Sequence, residues 1–551
     1  MPDLSLGHRR SGDGSPSANG RSRTPLEPTV VTPLAAIADA VRGSFAADRI
    51  EMTGRRLRLL DTVDRRLTAS GSRLETEAAE GGGKEVGGKE AGERWRLVDA
   101  DGRVRAEATI RGRAPTLADD LPDGPLRQAL EKAISIRGLV ASPWIALTEH
   151  STALRDAAGK TRCRLVARTA QVETTGEQRS AVRVEALKGY RREARSVAER
   201  VTRRFGWTPA APDPLTALAP ILWPEPGGTA DPAVSDIAQP AGPGLRLVLR
   251  ALLDAIEARS RGVIADIDDE ELHDLRVAIR RTRSILALLR SRATDSKQAD
   301  RTLERARATF AWLGQATGPT RDLDVHILAW RAHRRRTSAE QAAILEPLGR
   351  YLAAERAAAH AALVRALRSR RFRTALARWR AVLDAGDQAW TGSEALRRPI
   401  GELAGHRIRK LYRRAVREGT AITPDSPAEA LHALRKTMKK LRYVVEIIRP
   451  GVPADRVRPV LRRLRALQQV LGDVQDMEVQ ADALRRFGLA MGETGLAGPA
   501  TLMAIGAQAE DLEIRRAEAR DRFAAVFAPV AKRNFGDKVR ALAGTRAGDG
   551  A

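Results

Sequence analysis

The spacing of apolar residues divides the chain into two parts. Up to Gly206, short segments alternate apolar and polar residues, the period of a strand with one buried face. From Leu245 onward, apolar residues recur three and four positions apart, as on one face of a helix. The pattern therefore predicts an α+β domain with several antiparallel strands, followed by an all-α domain.

Strand and helix patterns are mixed in the first part. A Gly- and Lys-rich stretch at 81–93 predicts a flexible loop. The predicted strands are Arg56–Leu60, Arg94–Val98, Val104–Ile110, Arg162–Arg168 and Ala181–Leu187, and the predicted helices are Leu34–Phe45, Pro125–Ile136 and Tyr190–Phe205.

Composition marks the segments that flank the two domains. Residues 1–26, rich in Gly, Ser, Pro and Arg, predict an unstructured tail, and 543–551 a second one. The proline-rich stretch 207–244 predicts a linker, within which Leu215–Trp223 is an apolar patch suited to docking on a flanking domain. The first domain then occupies 27–206 and the helical domain 245–542.

Glycine and proline divide the helical part into about a dozen helices, with predicted breaks that include Gly472 and Gly488. The same succession of features occurs twice, about 155–160 residues apart. This period is too long, and its copies too few, for a solenoid. We interpret the helical domain as two repeats, at about 245–385 and 393–542, that form two facing bundles.

One segment recurs in both repeats. His273–Arg283 reads HDLRVAIRRTR, and His432–Arg442 reads HALRKTMKKLR. On a helix, positions 0, 3, 7 and 10 fall within an arc of about 80°, so each segment presents a histidine and three cations on one stripe. The stripe cations are Arg276, Arg280 and Arg283 in the first copy and Arg435, Lys439 and Arg442 in the second, with Arg281, Lys436 and Lys440 at the margins.

Net charge indicates an acidic ligand for these stripes. The chain carries a formal charge of +26, of which +21 lies in residues 241–551. A stripe of like charges repels itself unless an anion binds it. Arginine suits bidentate phosphate contact and lysine acts as a mobile point charge. His273 and His432 can donate hydrogen bonds to phosphate oxygens, and a bound polyanion would raise their pKa. The alternative roles are helix capping for the histidines and a solvated face for the stripes.

An acidic element follows each stripe. It reads Arg321-Asp322-Leu-Asp324-Val325 in the first copy and Gln475-Asp476-Met-Glu478-Val479 in the second. We expect Asp322, Asp324, Asp476 and Glu478 to pair with arginines and to hold the cationic side chains in place. The alternative is a divalent cation held by these carboxylates and a histidine. The prediction requires no cofactor and assigns no catalytic residue.

The first domain resembles the triphosphate tunnel, or CYTH, family. Arg58–Leu67 with Gly71 is similar to the family's strand and turn Y-x-D-T-x-x-x-x-L-x-x-x-G. Trp95–Leu97 resembles its W-x-L strand, Arg105–Glu107 its R-x-E, and Val184–Lys188 its late V-E-x-L strand. The resemblance implies an antiparallel tunnel-like domain over roughly residues 27–206.

Departures from that family argue against catalysis. The E-x-E-x-K signature of its triphosphatases is absent from Leu26–Asp48. Leu74–Glu77 is acidic where the family has a basic strand, and Val98 replaces a lysine. A two-metal triphosphatase needs carboxylates for the metals and cations for the phosphates. We therefore interpret this domain as a non-catalytic relic or docking module, with an active triphosphatase as an alternative.

The helical part resembles the CHAD family, the conserved histidine α-helical domain. The resemblance rests on the two copies of H-x-L-R-x-x-x-[RK]-[RK]-x-R, each followed by Leu-Gly at Leu313-Gly314 or Leu471-Gly472 and by the acidic element. Leu367–Phe372 resembles the closing helix of the family's first bundle. The resemblance implies two pseudo-symmetric four-helix bundles around a basic channel that binds inorganic polyphosphate, and an association with polyphosphate granules.

The remaining sequence features bear on partners and compartment. Double-stranded nucleic acid is the alternative ligand, whereas single strands need aromatic platforms and Tyr443 is the only aromatic residue in or beside either stripe. Cys163 is the only cysteine, which fits a reducing compartment. The chain shows no secretory signal pattern and no uncharged apolar run near twenty residues. We expect a cytoplasmic protein at polyphosphate granules, with no membrane partner.

Overall fold

A computed structural model describes most of the chain. The described residues are 22–27, 34–77, 92–100, 102–112, 114–206, 208–209, 213–223, 234, 236–289, 297–385 and 394–542. The chain forms two compact units, Met1–Pro226 and Gly227–Ala551. The predicted tail at 543–551, most of the predicted tail at 1–26 and nearly all of the predicted loop at 81–93 lie outside the described residues.

The first unit is built on an antiparallel sheet. Its strand order is β11-β1-β10-β9-β8-β3-β4-β5-β6, with β2 paired to β8 and β7 paired to β3. The strands are β1 (Ser22–Glu27), β2 (Ala46–Ala47), β3 (Glu51–Thr62), β4 (Arg73–Glu77), β5 (Glu93–Val98), β6 (Val104–Ile110), β7 (Leu139–Ala141), β8 (Ile145–Arg155), β9 (Thr161–Val172), β10 (Gln178–Ala186) and β11 (Thr208–Pro209).

Five helices accompany this sheet: α1 (Leu34–Asp39), α2 (Arg66–Ala69), α3 (Pro125–Ile134), α4 (Arg191–Phe205) and α5 (Pro214–Leu222). The five predicted strands and three predicted helices are present, but β3 is 12 residues long where the pattern predicted only Arg56–Leu60, and α1 ends at Asp39 where the pattern predicted a helix to Phe45. The prediction of an unstructured tail was wrong at residues 22–26, which belong to β1. This strand pairs with β10 through backbone hydrogen bonds. Amino-acid composition does not predict such pairing, because every residue type except proline carries the same backbone groups.

A buried carboxylate, Asp213, links distant strands of the sheet. Its carboxylate lies 3.6 Å from Arg73 of β4, 3.1 Å from Arg168 of β9 and 2.8 Å from Arg183 of β10. Because β4 and β10 are separated by three other strands in the sheet order, their contact with one carboxylate requires a strongly curved sheet. The first unit is therefore compatible with a tunnel-like fold.

The acidic strand β4 is neutralised by its neighbours. Arg55 Nε donates to Glu77 at 2.8 Å, and Arg96 Nη2 donates to the same carboxylate at 3.0 Å. Arg73 Nε donates to Glu75 at 2.7 Å. The comparison with the CYTH family found Leu74–Glu77 acidic where the family has a basic strand, but Arg73 at the start of β4 and the adjacent strands supply arginines. Those arginines are already paired with the protein's own carboxylates.

The second unit is helical throughout its described residues. The helices are α6 (Ala241–Ala265), α7 (Asp269–Leu289), α8 (Lys297–Ala316), α9 (Gly318–Arg334), α10 (Ala339–Ile344), α11 (Glu346–Arg368), α12 (Arg370–Asp384), α13 (Glu394–Arg397), α14 (Ile400–Thr420), α15 (Ala428–Ile448), α16 (Ala454–Glu493), α17 (Pro499–Asp521), α18 (Phe523–Ala531) and α19 (Arg533–Ala541). No helix in the described part of the chain is long and apolar enough to cross a bilayer.

Two glycines predicted to break helices lie inside one. Gly472 and Gly488 are interior residues of the 40-residue helix α16. Glycine costs only about 1 kcal/mol in a helix interior, and packing readily offsets this cost. A Cβ at Gly472 would lie 3.7 Å from Arg435 Nη2, an ordinary contact distance, so Gly472 lies directly beside the second stripe. Elsewhere, Leu345 alone separates α10 from α11.

The two repeats begin at equivalent prolines that pair with each other. Pro240 and Pro399 form an antiparallel bridge directly before α6 and α14. Ala241 N donates to Arg398 O at 2.9 Å, and Ile400 N donates to Gln239 O at 3.0 Å. One continuous apolar core then runs through α6, α7, α8 and α12 of the first repeat and α14, α15, α16, α18 and α19 of the second. The repeats are therefore packed together as one body.

Candidate functional site

The sequence of the two stripe helices, α7 and α15, fixes which side each presents. Leu275 and Ile279 of α7 and Leu434 and Met438 of α15 are fully or almost fully buried in the common core. Burial of these apolar residues leaves the polar residues of each helix on its remaining sides. The helices α7 and α15 also contact each other, which brings the two copies of the motif together.

The two stripes meet at the ring of Tyr443. The guanidinium of Arg280, from the first copy, lies 5.5 Å from the ring centroid. That of Arg442, from the second copy, lies 5.0 Å from it. The two guanidiniums are therefore no farther apart than the sum of these distances. The ring lets two like charges approach, because each interacts favourably with its π electrons.

Lys439 lies in the same cluster of positive charge. Burial, together with Arg435, Arg280 and Arg442, lowers the pKa of Lys439 to about 8, and the Asp476 carboxylate only partly offsets this effect. Cations from both repeats thus act on one ammonium group. Such a group gains most from an added anion, which would restore its charged form.

Arg276 extends the cluster along α7. Its Nη1 donates to Thr317 Oγ1 at 3.2 Å. Burial lowers the pKa of the Arg276 guanidinium; the nearby Asp322 carboxylate raises it, and Arg280, Arg321 and Arg283 lower it further. The stripe cations of the first copy therefore form one electrostatic group with Arg321, and Arg280 connects this group to Lys439.

The equivalent arginine of the second copy is held by a carboxylate. Arg435 Nη2 donates to Asp476 Oδ1 at 2.8 Å. A Cβ at Gly472 would lie 3.7 Å from Arg435, and a Cβ at Gly318 would lie 3.7 Å from Arg276. The structure therefore matches Gly318 with Gly472. The sequence alignment had paired Gly314 with Gly472, one helical turn away, because both follow a leucine.

The two histidines have different environments. His432 Nδ1 donates to Gln475 Oε1, which fixes the ring in one orientation. His273 is half-buried, and its burial lowers its pKa, while Glu270 and Asp274 raise it and Arg321 and Arg280 lower it. A bound anion would oppose the effect of burial on His273.

The marginal cations do not all face the cluster around Tyr443. Burial lowers the pKa of Lys440, and Arg414 and Arg407 of α14 lower it further, so its charge lies towards α14. The positive charge of Lys436 also lowers the pKa of Lys440. Arg281 is half-buried, and its burial lowers the pKa of its guanidinium, while Glu446 raises that pKa and Arg449 lowers it. These three cations therefore flank the cluster.

The acidic element divides into two roles. Asp476 holds Arg435, and Asp322 lies near Arg276 and Arg321. The other pair contacts arginines outside the stripes, because Asp324 accepts from Arg356 Nε at 2.9 Å and Glu478 lies 3.5 Å from Arg516. Among the residues that the structure describes, no group of three or more His, Cys, Asp or Glu side chains is arranged to hold a metal ion.

Sequence reasoning missed three participants. Arg321 opens the acidic element but was not assigned to the cationic group. Tyr443 was noted only as an aromatic residue, and its position between two guanidiniums depends on how the repeats pack. Glu446 accepts from Arg442 Nη1 at 2.9 Å, and its spacing of four residues from Arg442 was a usable signal.

Comparison with known proteins agrees with this architecture. Residues 247–485 match the family model of the CHAD domain. The crystal structure of the CHAD domain from the plant Ricinus communis is 22% identical, with a TM-score of 0.40, covering 58% of this chain and 99% of that one. PptA from Streptomyces chartreusis is also 22% identical, with a TM-score of 0.39, covering 52% and 99%. No curated protein matches the chain. Residues 247–485, which run from α6 into α16 and contain both stripe helices, are thus a CHAD domain.

Proposed function

We propose that the second unit binds inorganic polyphosphate along the stripes of α7 and α15. The observation that carries the proposal is the convergence of Arg280, Lys439 and Arg442, from both repeats, around Tyr443. Around this point lie seven cations and three carboxylates: Arg276, Arg280, Arg283, Arg321, Arg435, Lys439 and Arg442, with Asp322, Asp476 and Glu446. Such an excess of positive charge favours a ligand with closely spaced negative charges.

Polyphosphate meets this requirement because it carries about one charge per phosphate. The protein would hold it as proteins hold a nucleic-acid backbone, by Lys and Arg contacts that release counterions. Arg435, fixed by Asp476, supplies a pre-oriented guanidinium fork. His432, oriented by Gln475, can donate from Nε2 to a phosphate oxygen when its ring carries both protons. Arg281, Lys436 and Lys440 would contact only a ligand that extends beyond the stripes.

Competition between anions tests this ligand class. We expect labelled long-chain polyphosphate to bind the full chain at fixed salt and to resist an excess of duplex DNA. The reason is that the closely spaced cations around Tyr443 match a chain of adjacent phosphates better than a rigid duplex. The measurement is fluorescence anisotropy of the labelled polyphosphate. Displacement by DNA at equal phosphate concentration would instead favour the double-stranded nucleic-acid alternative.

The affinity should fall as pH rises through the pKa of Lys439. The free protein has a Lys439 pKa of about 8, and a bound polyanion raises it. Polyphosphate binding then takes up a proton above pH 8, so we expect the affinity to fall about tenfold between pH 7 and 9. Because arginine stays charged in this range, Lys439→Arg should remove most of this dependence. Parallel titration curves for the two proteins would place the ligand away from Lys439.

We also propose that the protein associates with polyphosphate granules and that the first unit is not catalytic. The second point is supported by Glu75, Glu77 and Asp213, which pair with Arg73, Arg55 and Arg183 and so compete with a triphosphate for these arginines. Co-sedimentation with isolated granules tests the first point. Phosphate release from tripolyphosphate with Mg²⁺ or Mn²⁺, above a no-enzyme control, would contradict the second.

A further inference from the structure

A second cavity lies between α8 and α12, away from the stripe helices. Its volume is about 830 Å³, which is within the range of small-molecule sites. Thr302, Arg305 and Thr309 of α8 form one wall, and Arg371, Thr374 and Arg378 of α12 form the other. No residue of α7 or α15 lines it. It is therefore a separate site from the one proposed for polyphosphate.

The charged residues of this cavity are all arginines. Arg305, Arg370, Arg371 and Arg378 line it, and no carboxylate of the described residues does. Within the described part of the chain, none of these four arginines has an ion-pair partner. Arg380, two positions after Arg378 on the same helix, is by contrast bound to Asp254 at 2.7 Å and to Glu257 at 2.8 Å. Arg378 on the cavity side of α12 and Arg380 on another side thus differ in whether a carboxylate holds them.

The interior of the cavity is flat and apolar. The guanidinium of Arg371 lies 4.1 Å from the centroid of the Trp312 ring, close enough to stack. The buried Trp379, with Ala306, Ala375 and Val382, supplies apolar surface beside this stack. Aromatic rings and arginine planes are the surfaces on which nucleobases stack. A chain of inorganic phosphate would leave this apolar surface unused.

We propose that this cavity binds a nucleoside triphosphate, with its base on the Arg371–Trp312 stack and its phosphates on Arg370 and Arg378. Arg305 lies on the same cavity and adds positive charge for the phosphate tail. The hydroxyls of Thr309 and Thr374 offer hydrogen bonds to the sugar or the base. This inference does not depend on polyphosphate binding, because no residue is shared between the two sites.

Titration of the full chain with N-methylanthraniloyl-ATP, followed by fluorescence, tests the proposal. We expect saturable binding that unlabelled ATP reverses. Arg371→Glu and Arg378→Glu should each weaken binding at least tenfold, because the first removes the stacked guanidinium, the second removes a phosphate contact, and both add a repulsive charge. Trp312→Leu should weaken it by a similar factor through loss of the stacking surface. Circular dichroism establishes that each variant is folded.

The matched control is Arg373→Glu, which makes the same charge change on the same helix at an exposed residue outside the cavity. The affinity of this variant for the labelled nucleotide should stay within twofold of the affinity of the unchanged protein. Three outcomes would overturn the proposal. The first is that the labelled nucleotide shows no saturable binding. The second is that tripolyphosphate displaces it as well as ATP does. The third is that charge reversal of Arg280, Lys439 and Arg442 abolishes its binding whereas Arg371→Glu does not.

Discussion

Reversing the charge of Arg280, Lys439 and Arg442 to glutamate should weaken polyphosphate binding at least about 100-fold. Each residue contributes a charge-assisted contact worth about 1.5 kcal/mol or more, and each glutamate adds repulsion. The three positions surround Tyr443, so the change removes the point where the two repeats converge. Arg435 is left intact because Asp476 holds its guanidinium. Arg442 is included, although it donates to Glu446, because it lies beside the Tyr443 ring. The measurement is the Kd for labelled polyphosphate at several salt concentrations.

A control with the same change in net charge separates local contact from long-range attraction. Arg522, Lys532 and Arg533 are exposed residues of the same unit, outside the stripes. Their reversal to glutamate should change the affinity only by its effect on the overall field. The salt dependence gives a second readout, because loss of three phosphate contacts lowers the slope of log K against log salt by about 2. Equal weakening by both triple variants would contradict the assignment of the site.

Replacing Asp213 with asparagine should destabilise the first unit by about 3 kcal/mol. Removal of one partner from a buried ion pair costs about 3–5 kcal/mol, because the remaining charge is left uncompensated. The lower end applies here, because Arg73 and Arg168 keep second partners in Glu75 and Glu149. Asparagine still accepts the hydrogen bond from Leu215 N at the start of α5, so the helix cap is preserved. Hydrogen exchange in β4, β9 and β10 measures the effect locally.

The pH dependence of this difference identifies its cause. Burial raises the pKa of Asp213, but Arg73, Arg183 and Arg168 outweigh it and hold the pKa below its ordinary value. A carboxyl with a depressed pKa stabilises the fold above its unfolded pKa of about 3.9, and this contribution is lost as pH falls through the folded value. The gap between the two proteins should therefore close in acid. Glu177→Gln, at an exposed acid of the same unit, should leave stability within about 0.5 kcal/mol. A pH-independent gap would point to altered packing.

The sequence predicted what depends on local periodicity. The alternation around Arg56–Leu60 and the helical spacing of the stripe segments each matched a real element, and the repeat followed from two similar motifs. Local patterns do not encode which face meets which partner. The position of Arg281 towards Glu446, and of Lys440 towards α14, depends on the packing of separate helices.

Long-range pairing explains the remaining differences. The pairing of β1 with β10 joins segments far apart in the chain, so the amino-acid composition around residues 22–27 does not predict it. Gly472 was read as a helix break because glycine disfavours helices locally, whereas its position beside Arg435 depends on the packing of another helix. The arginines that gather around Asp213 come from three strands, so no single segment revealed them.

Tyr443 shows that the two halves of the helical unit have specialised. The residue that follows the motif is Tyr443 in the second copy and Ser284 in the first. One aromatic ring therefore serves guanidiniums from both copies. Joining both halves in one chain lets them differ at this position, so that a ring from one copy serves both without a counterpart in the other.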